Sequence, residues 1–174
     1  MRKTVLITGA SGGLGLEFAR IYAREGFDLV VVARSEGKLY KLKSELETQY
    51  DCHVWVLAQD LSQPDAAYEV FNYTLEKNIT IDALVNNAGF GDFGNFWEVD
   101  AQRQTDLLQV NIMTLVQLTR YFLPGMVERR HGSVLNLSSV AAFSAGPRMC
   151  LYYASKEFVR SFSEAVAEEV RSTG

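Results

Sequence analysis

Thr8-Gly9-Ala10-Ser11-Gly12-Gly13-Leu14-Gly15 joins an apolar run that begins at Thr4 to an amphipathic segment that begins at Gly13, and this junction decides the fold. Its glycines let the main chain approach an anion held at the amino end of a helix, where unpaired N–H groups and the helix dipole converge. A glycine-rich turn alone is also an ordinary strand-to-helix connection. Here it follows a buried-type strand and opens an amphipathic helix, which is the context a phosphate site requires.

Outward from this loop, short β-branched runs alternate with longer segments of helical period, the βαβ pattern of a parallel sheet flanked by helices. The pattern predicts strands at Thr4 to Thr8, Asp28 to Ala33, His53 to Ala58, Ala83 to Asn86 and Ser133 to Ser138. Helices are predicted at Gly13 to Glu25, Glu36 to Gln49, Asp65 to Lys77, Asp100 to Arg129 and Tyr152 to Arg171. No repeat or linker interrupts them, so residues 1–174 read as a single α/β domain. Right-handed crossovers favour a doubly wound, Rossmann-like sheet of order 3-2-1-4-5 with helices on both faces. Ligands then bind at the carboxyl ends of strands 1 and 4, which puts Gly9, Asn87 and Ser139 on one rim.

A chain of 174 residues with 48% hydrophobic and 22% charged content can bury a core. A net charge of -4 argues against a nucleic-acid partner, which would need clustered Lys and Arg. No apolar run is long enough to span a bilayer and no signal peptide opens the chain, so a soluble, cytoplasmic protein is expected. Cys52 and Cys150 lie far apart and, with His53 and His131 isolated, give no metal-ligand spacing; the thiols read as reduced packing residues.

The spacing T-G-x3-G-x-G, the Asn86-Asn87-Ala88-Gly89 segment, Val110-Asn111, Ser139 and Tyr152-Tyr153-Ala154-Ser155-Lys156 occur in the order found in one family. In this the whole chain resembles the short-chain dehydrogenase/reductases. The resemblance implies an oxidoreductase that transfers a hydride between a nicotinamide cofactor and a carbonyl or alcohol. It places Gly9, Ser11, Gly13, Leu14, Gly15, Asn87, Ala88 and Gly89 around the cofactor, together with Tyr152 and Lys156. It also implies that Ser139 holds the substrate oxygen, that the main-chain carbonyl of Asn111 holds a water against the lysine, and that the Asp60 carboxylate accepts from the adenine amino group. Asp60 equally reads as a cap for the helix after Pro64, a place for which Ser62 is better positioned.

Two residue types carry the chemistry. Hydride transfer leaves an oxygen that must gain or lose a proton, and no histidine is placed to serve it. Tyrosine, with an ordinary pKa near ~10, becomes a usable base when a cation favours its phenolate. Tyr152 and Lys156 are four residues apart, so a helix stacks them on one face, whereas Tyr153 has Glu157 at that spacing. Taken alone, the pair also reads as the surface of an amphipathic helix. Ser138 competes with Ser139, but adjacent strand residues face opposite ways and the family spacing selects Ser139.

At the end of the second strand stand Ala33 and Arg34, where NAD-preferring relatives carry a carboxylate. A guanidinium there suits a 2′-phosphate, so NADP(H) is favoured over NAD(H), the alternative being a solvated arginine at a strand end. Aromatic residues from Phe90 to Trp97 and at Phe143 suggest an apolar carbonyl substrate, or else simply anchor the next helix. The resemblance also implies a homodimer or homotetramer, since relatives pack the two long helices against their symmetry mates, and Leu107, Leu115, Phe158, Phe162 and Val166 recur there at roughly helical spacing, unless that stripe faces the sheet. A second reading is an NADP(H)-binding sensor or scaffold without useful turnover. Relatives continue past the position of Gly174 into further strands and a substrate-covering segment, so the chain reads as truncated. Its fifth strand would then be an exposed edge, with weak cofactor binding and poor turnover.

Overall fold

The computed structural model describes residues 2–173. Five parallel strands form one sheet in the order β3-β2-β1-β4-β5, as the alternating pattern predicts. They are β1 (Thr4–Thr8), β2 (Asp28–Ala33), β3 (Val54–Ala58), β4 (Ala83–Asn86) and β5 (Ser133–Asn136). The helices are α1 (Gly13–Arg24), α2 (Glu36–Gln49), α3 (Ala66–Glu76), α4 (Ala101–Leu108), α5 (Leu115–Arg129) and α6 (Cys150–Val170).

Alternation along each central strand sorts the core into two layers, because successive side chains point to opposite faces. Val5, Ile7, Leu29, Val31 and Val85 pack beneath Ala19 and Ala23 of α1 and Leu39, Leu42 and Leu46 of α2. Leu6, Val30, Val32 and Leu84 pack on the other face with Val70 of α3 and Leu118, Phe122 and Met126 of α5. Each fully buried aliphatic side chain contributes on the order of 1.5–3 kcal/mol, so the two layers together hold the strand ends, and the loops they carry, in fixed register.

Several boundaries differ from the sequence expectation for local reasons. His53 precedes β3: its N–H donates to Asp28 Oδ1 at 2.8 Å, while its carbonyl accepts from Leu29 N. β5 stops at Asn136; Leu137 N still donates to Asn86 O, but the Ser138 hydroxyl turns away to Lys156 O at 2.7 Å. The cap of α3 is Asp65, without a side-chain hydrogen bond, so neither Asp60 nor Ser62 caps that helix. The predicted helix from Asp100 to Arg129 is divided. Asp100 caps α4 by accepting from Arg103 N, and a π-helical turn at Gln109–Thr114 separates α4 from α5.

Two further expectations are corrected. Leu107 and Leu115 are 1% and 4% exposed, buried inside the chain's own core, so they form no outer stripe; Phe158 and Phe162 do stack together on α6. Cys150 is exposed at the start of α6 rather than packed, while Cys52 lies against the core. At the edge of the sheet, β5 pairs with β4 alone among the described residues, and Leu135 is 41% exposed. No described helix is long and apolar enough to cross a membrane.

Candidate active site

The loop after β1 and the loop after β4 lock into one another. Gly9 has φ +69°, a conformation that favours glycine, and a Cβ there would stand 3.0 Å from Ala88 Cα. A Cβ on Gly15 would stand 2.4 Å from the Gly9 carbonyl oxygen. Asn87 Nδ2 fills the remaining space, donating to Thr8 O at 2.9 Å and Gly9 O at 3.4 Å. Thr8 Oγ1 accepts from the N–H groups of Asn87 and Ala88, both at 3.0 Å. The Asn87 side chain therefore acts on the protein's own loop, setting the shape of the surface that a ligand would meet.

That surface suits an anion. α1 opens without a side-chain cap and without an acidic residue in its first turn, so its terminal N–H groups keep their positive field. Added Cβ atoms at Gly12 and Gly13 would meet nothing within 4 Å, so the outer side of the loop is open. Ser11 and Gly9 line a cleft of about 400 Å³ that runs over the carboxyl ends of the strands. Ala88, Gly89 and Phe90 line it after β4, and Ala33, Arg34 and Ser35 line it after β2. Asp60 lines it after β3, with Oδ1 accepting from Ser62 N and Ser62 Oγ at 3.0 and 2.9 Å. Leu14, also predicted at this site, is exposed at the start of α1. A glycine cradle, an uncapped helix start and a guanidinium one strand away fit the diphosphate and the 2′-phosphate of a dinucleotide.

Tyr152 and Lys156 stand on the first turns of α6, beside the part of the cleft wall formed by Gly89, where a Cβ would be 3.4 Å from Lys156 Nζ. Lys156 Nζ lies 5.8 Å from the centre of the Tyr152 ring and donates to Leu137 O at 2.7 Å. The lysine is 5% exposed, and burial pushes its pKa down. The loss of hydration penalises the ammonium form, and an ammonium in that place favours the neighbouring phenolate. Ser138 holds the main chain of Lys156, so α6 is fastened to the end of β5 at two points. Ser139 Oγ accepts from Ala141 N at 3.2 Å and opens a 3-10 turn at Val140–Phe143 that packs on α6. The two serines, both beyond the end of β5, thus take different partners. Tyr153 faces Gly146 instead, where a Cβ would come 2.3 Å from its ring.

Asn111 is 1% exposed within the π-helical turn. Its Oδ1 accepts from Phe90 N at 3.0 Å, and its Nδ2 donates to Phe90 O at 2.9 Å and Ser155 Oγ at 3.0 Å. The side chain ties the loop after β4 to α6, a role that the sequence reading, directed at the main-chain carbonyl, did not contain. Gly91 rests against the catalytic candidate: a Cβ there would be 3.3 Å from Tyr152 Cδ2. Phe93, Phe96 and Trp97, in the segment after β4, and Phe143, at the end of the 3-10 turn, are exposed.

Sequence reasoning missed one wall of the cleft. Arg103, Asp106 and Val110 line it from α4 and the π-helical turn, and Gln59 and Leu61 line it after β3. The spacing i, i+3, i+7 of the first three was a readable signal for one helix face.

The family model for short chain dehydrogenase matches residues 3–174. A very-long-chain 3-oxoacyl-CoA reductase of Pyrenophora tritici-repentis is 34% identical over 97% of this chain and 51% of its own length. The protein of that name from Anas platyrhynchos is 34% identical over 97% of this chain and 55% of its own. The chain spans about half the length of the curated relatives it matches. Among solved structures, the bulky-bulky ketone specific alcohol dehydrogenase from Comamonas testosteroni superposes with a TM-score of 0.93 at 33% identity, covering 99% of this chain and 68% of the other. A short-chain dehydrogenase from Sphingobium yanoikuyae in complex with NADPH gives 0.93 at 34% identity, covering 99% and 67%.

Proposed function

The chain belongs to the short-chain dehydrogenase family, and on that premise we propose that it forms the cofactor-binding and proton-transfer part of an enzyme that interconverts an apolar carbonyl compound and its alcohol with NADP(H). The observation that carries this reading is Tyr152 set against a buried Lys156 whose Nζ lies beside Gly89, a residue of the same cleft wall that the glycine loop continues. NADP(H) supplies or accepts the hydride when bound. Arg34, on the wall after β2, would hold the 2′-phosphate, and no carboxylate at Ala33 repels it.

In the direction of reduction, the Tyr152 hydroxyl donates its proton to the substrate oxygen as negative charge develops there. Lys156 stabilises the resulting phenolate, and its lowered pKa leaves the ammonium readier to pass on a proton in turn. Ser139 orients the substrate oxygen, and Asn111 keeps Gly89 and Phe90 in place beside the lysine. Exposed Phe93, Phe96, Trp97 and Phe143 give the approach to Tyr152 an apolar character. Relatives named for 3-oxoacyl-CoA and bulky ketone substrates support a hydrophobic carbonyl substrate.

Tyr152→Phe tests the proposal. With NADPH and a panel of apolar ketones followed by cofactor absorbance, turnover should fall by about 100-fold or more while NADPH affinity stays unchanged. Retention of most activity would remove Tyr152 from the chemistry. NADPH binding by the unmodified protein without turnover across the panel would favour a cofactor-sensing role instead.

A further inference from the structure

Arg103 occupies an unusual place. It lines the dinucleotide cleft from α4, yet its Nε donates to Asp92 Oδ2 at 2.6 Å, and its guanidinium lies 5.3 Å from the centre of the Phe90 ring. Asp92 follows Gly91, whose backbone rests on Tyr152 and Met149. Phe90 is held by Asn111 at both its N–H and its carbonyl. Asp92 Oδ1 also accepts from Phe93 N at 2.9 Å, which closes the loop on itself. Phe90, Gly91 and Asp92 thus each meet a different neighbour, and the last of these, Arg103, reaches back into the cleft.

The charges in the cleft make the arginine more than a partner for Asp92. Arg34 and Arg103 are balanced there by Asp60 and Asp106, which accept from Ser62 and Gln102 respectively. Among the described residues the terminal amino groups of Arg103 make no hydrogen bond, so four of its five N–H donors remain for a ligand. With Asp92 already on Arg103, two guanidiniums stand among three carboxylates, so a phosphate in this cleft would draw on both cations.

We propose that Arg103 is a positioning residue that couples phosphate binding in the cleft to the placement of Tyr152: its terminal amino groups take a phosphate of the dinucleotide while its Nε keeps Asp92, and with it the Gly91 backbone, against the tyrosine ring. The inference rests on the cofactor reading above and adds a connection between its two ends. Without a ligand, Arg103 is left to an ion pair that is partly exposed and therefore weak. A bound phosphate immobilises the guanidinium, and the loop beside Tyr152 is stiffened through Asp92.

Dissociation constants for NADPH, NADH and 2′-AMP, measured by fluorescence or calorimetry on the unmodified chain, Arg103→Gln, Arg103→Lys and Asp92→Asn, test this directly. Arg103→Gln should weaken NADPH by about tenfold to a hundredfold, the loss of a charge-assisted hydrogen bond, with partial recovery in Arg103→Lys. An equal loss for NADH identifies the diphosphate as the ligand, whereas a loss for 2′-AMP with NADH unaffected identifies the 2′-phosphate. Hydrogen exchange supplies the readout of coupling. NADPH should slow exchange at Phe90 to Phe93 in the unmodified chain, and this protection should fall in Asp92→Asn, whose neutral amide holds the guanidinium less tightly, while its NADPH affinity is retained. Equal affinities in Arg103→Gln and the unmodified chain for every ligand, or undiminished protection in Asp92→Asn, would overturn the coupling and leave the cofactor reading intact. Failure of the unmodified chain to bind any of the ligands would overturn both.

Discussion

Gly15→Ala places a methyl group 2.4 Å from the Gly9 carbonyl oxygen and 2.5 Å from Asn87 Nδ2. Relief requires the two loops to separate by about 1 Å, since ordinary carbon contacts begin near ~3.4 Å. Overpacking of this kind costs about 1–3 kcal/mol, and moving Asn87 off Thr8 O adds about 1 kcal/mol for the weakened hydrogen bond. Alanine's better helix propensity returns about 1 kcal/mol, leaving a net loss of about 2 kcal/mol. In a domain of this size that corresponds to a melting temperature lower by about 4–8 °C. Gly13→Ala meets no atom within 4 Å but must hold φ +55°, a strain of about 1–2 kcal/mol for a residue with a Cβ. Gly12, extended at φ 177° and with nothing within 4 Å, should accept alanine within about 0.5 kcal/mol. Calorimetric melts of the three variants without cofactor should therefore rank Gly15 as most sensitive and Gly12 as least. NADPH titration should break that ranking, because a methyl at Gly12 projects into the open side of the loop and lowers affinity without lowering stability. Equal melting temperatures for Gly15→Ala and Gly12→Ala would refute the interlock of the two loops.

Arg34→Asp, on the wall after β2, should shift the ratio of NADPH to NADH affinity towards NADH by adding a carboxylate that repels a 2′-phosphate, and an unmoved ratio would make Arg34 a bystander. The lowered pKa of Lys156 has a pH signature: the unfolded chain binds that proton more tightly than the folded one, so stability rises with pH between the lowered native value and the ordinary 10.5. Melting curves of the unmodified chain and Lys156→Met across that alkaline window should differ by this rise, and parallel curves would mean the ammonium is not penalised by burial.

The architecture was legible because each of its determinants is local. Runs such as Thr4 to Thr8, with every residue buried, are β-branched or apolar throughout, and the glycine loop fixes which strand lies at the centre. The pair Tyr152 and Lys156 was legible for the same reason, since i and i+4 share a helix face. What sequence periodicity could not give was the partner of a polar side chain. Nothing in the order of residues announces that Lys156 Nζ reaches Leu137 O, or that Asn111 clamps Phe90 and Ser155. The predicted long helix illustrates the gap. Periodicity weighs apolar recurrence, so it reads from Leu107 through to Met126 without interruption. The chain instead widens at Gln109–Thr114, where two buried polar side chains bond outside the helix, Asn111 to the loop and α6 and Thr114 to Leu61 O at 2.9 Å. An unsatisfied buried amide costs about 1–3 kcal/mol, which is comparable with the price of a disturbed helical turn.

The motifs that the sequence shows as separate strings are, in space, one set of contacts, and this gives their joint occurrence a physical cause. At Gly15 of the first loop, Gly9 O and Asn87 Nδ2 occupy the space a Cβ would take, so T-G-x3-G-x-G and N-N-A-G are packed directly against each other. Gly89, the last residue of N-N-A-G, is constrained in turn by the helix asparagine and the lysine: a Cβ there would stand 3.1 Å from Asn111 Oδ1 and 3.4 Å from Lys156 Nζ. Asn111 then reaches Ser155 within the Y-x3-K element itself. A side chain at Gly89 would push on the buried amide and the buried ammonium at once, and neither has room to yield without losing its hydrogen bonds to Phe90 or Leu137. The glycine that lets the main chain line the cleft is thus also the one that lets the lysine approach Tyr152.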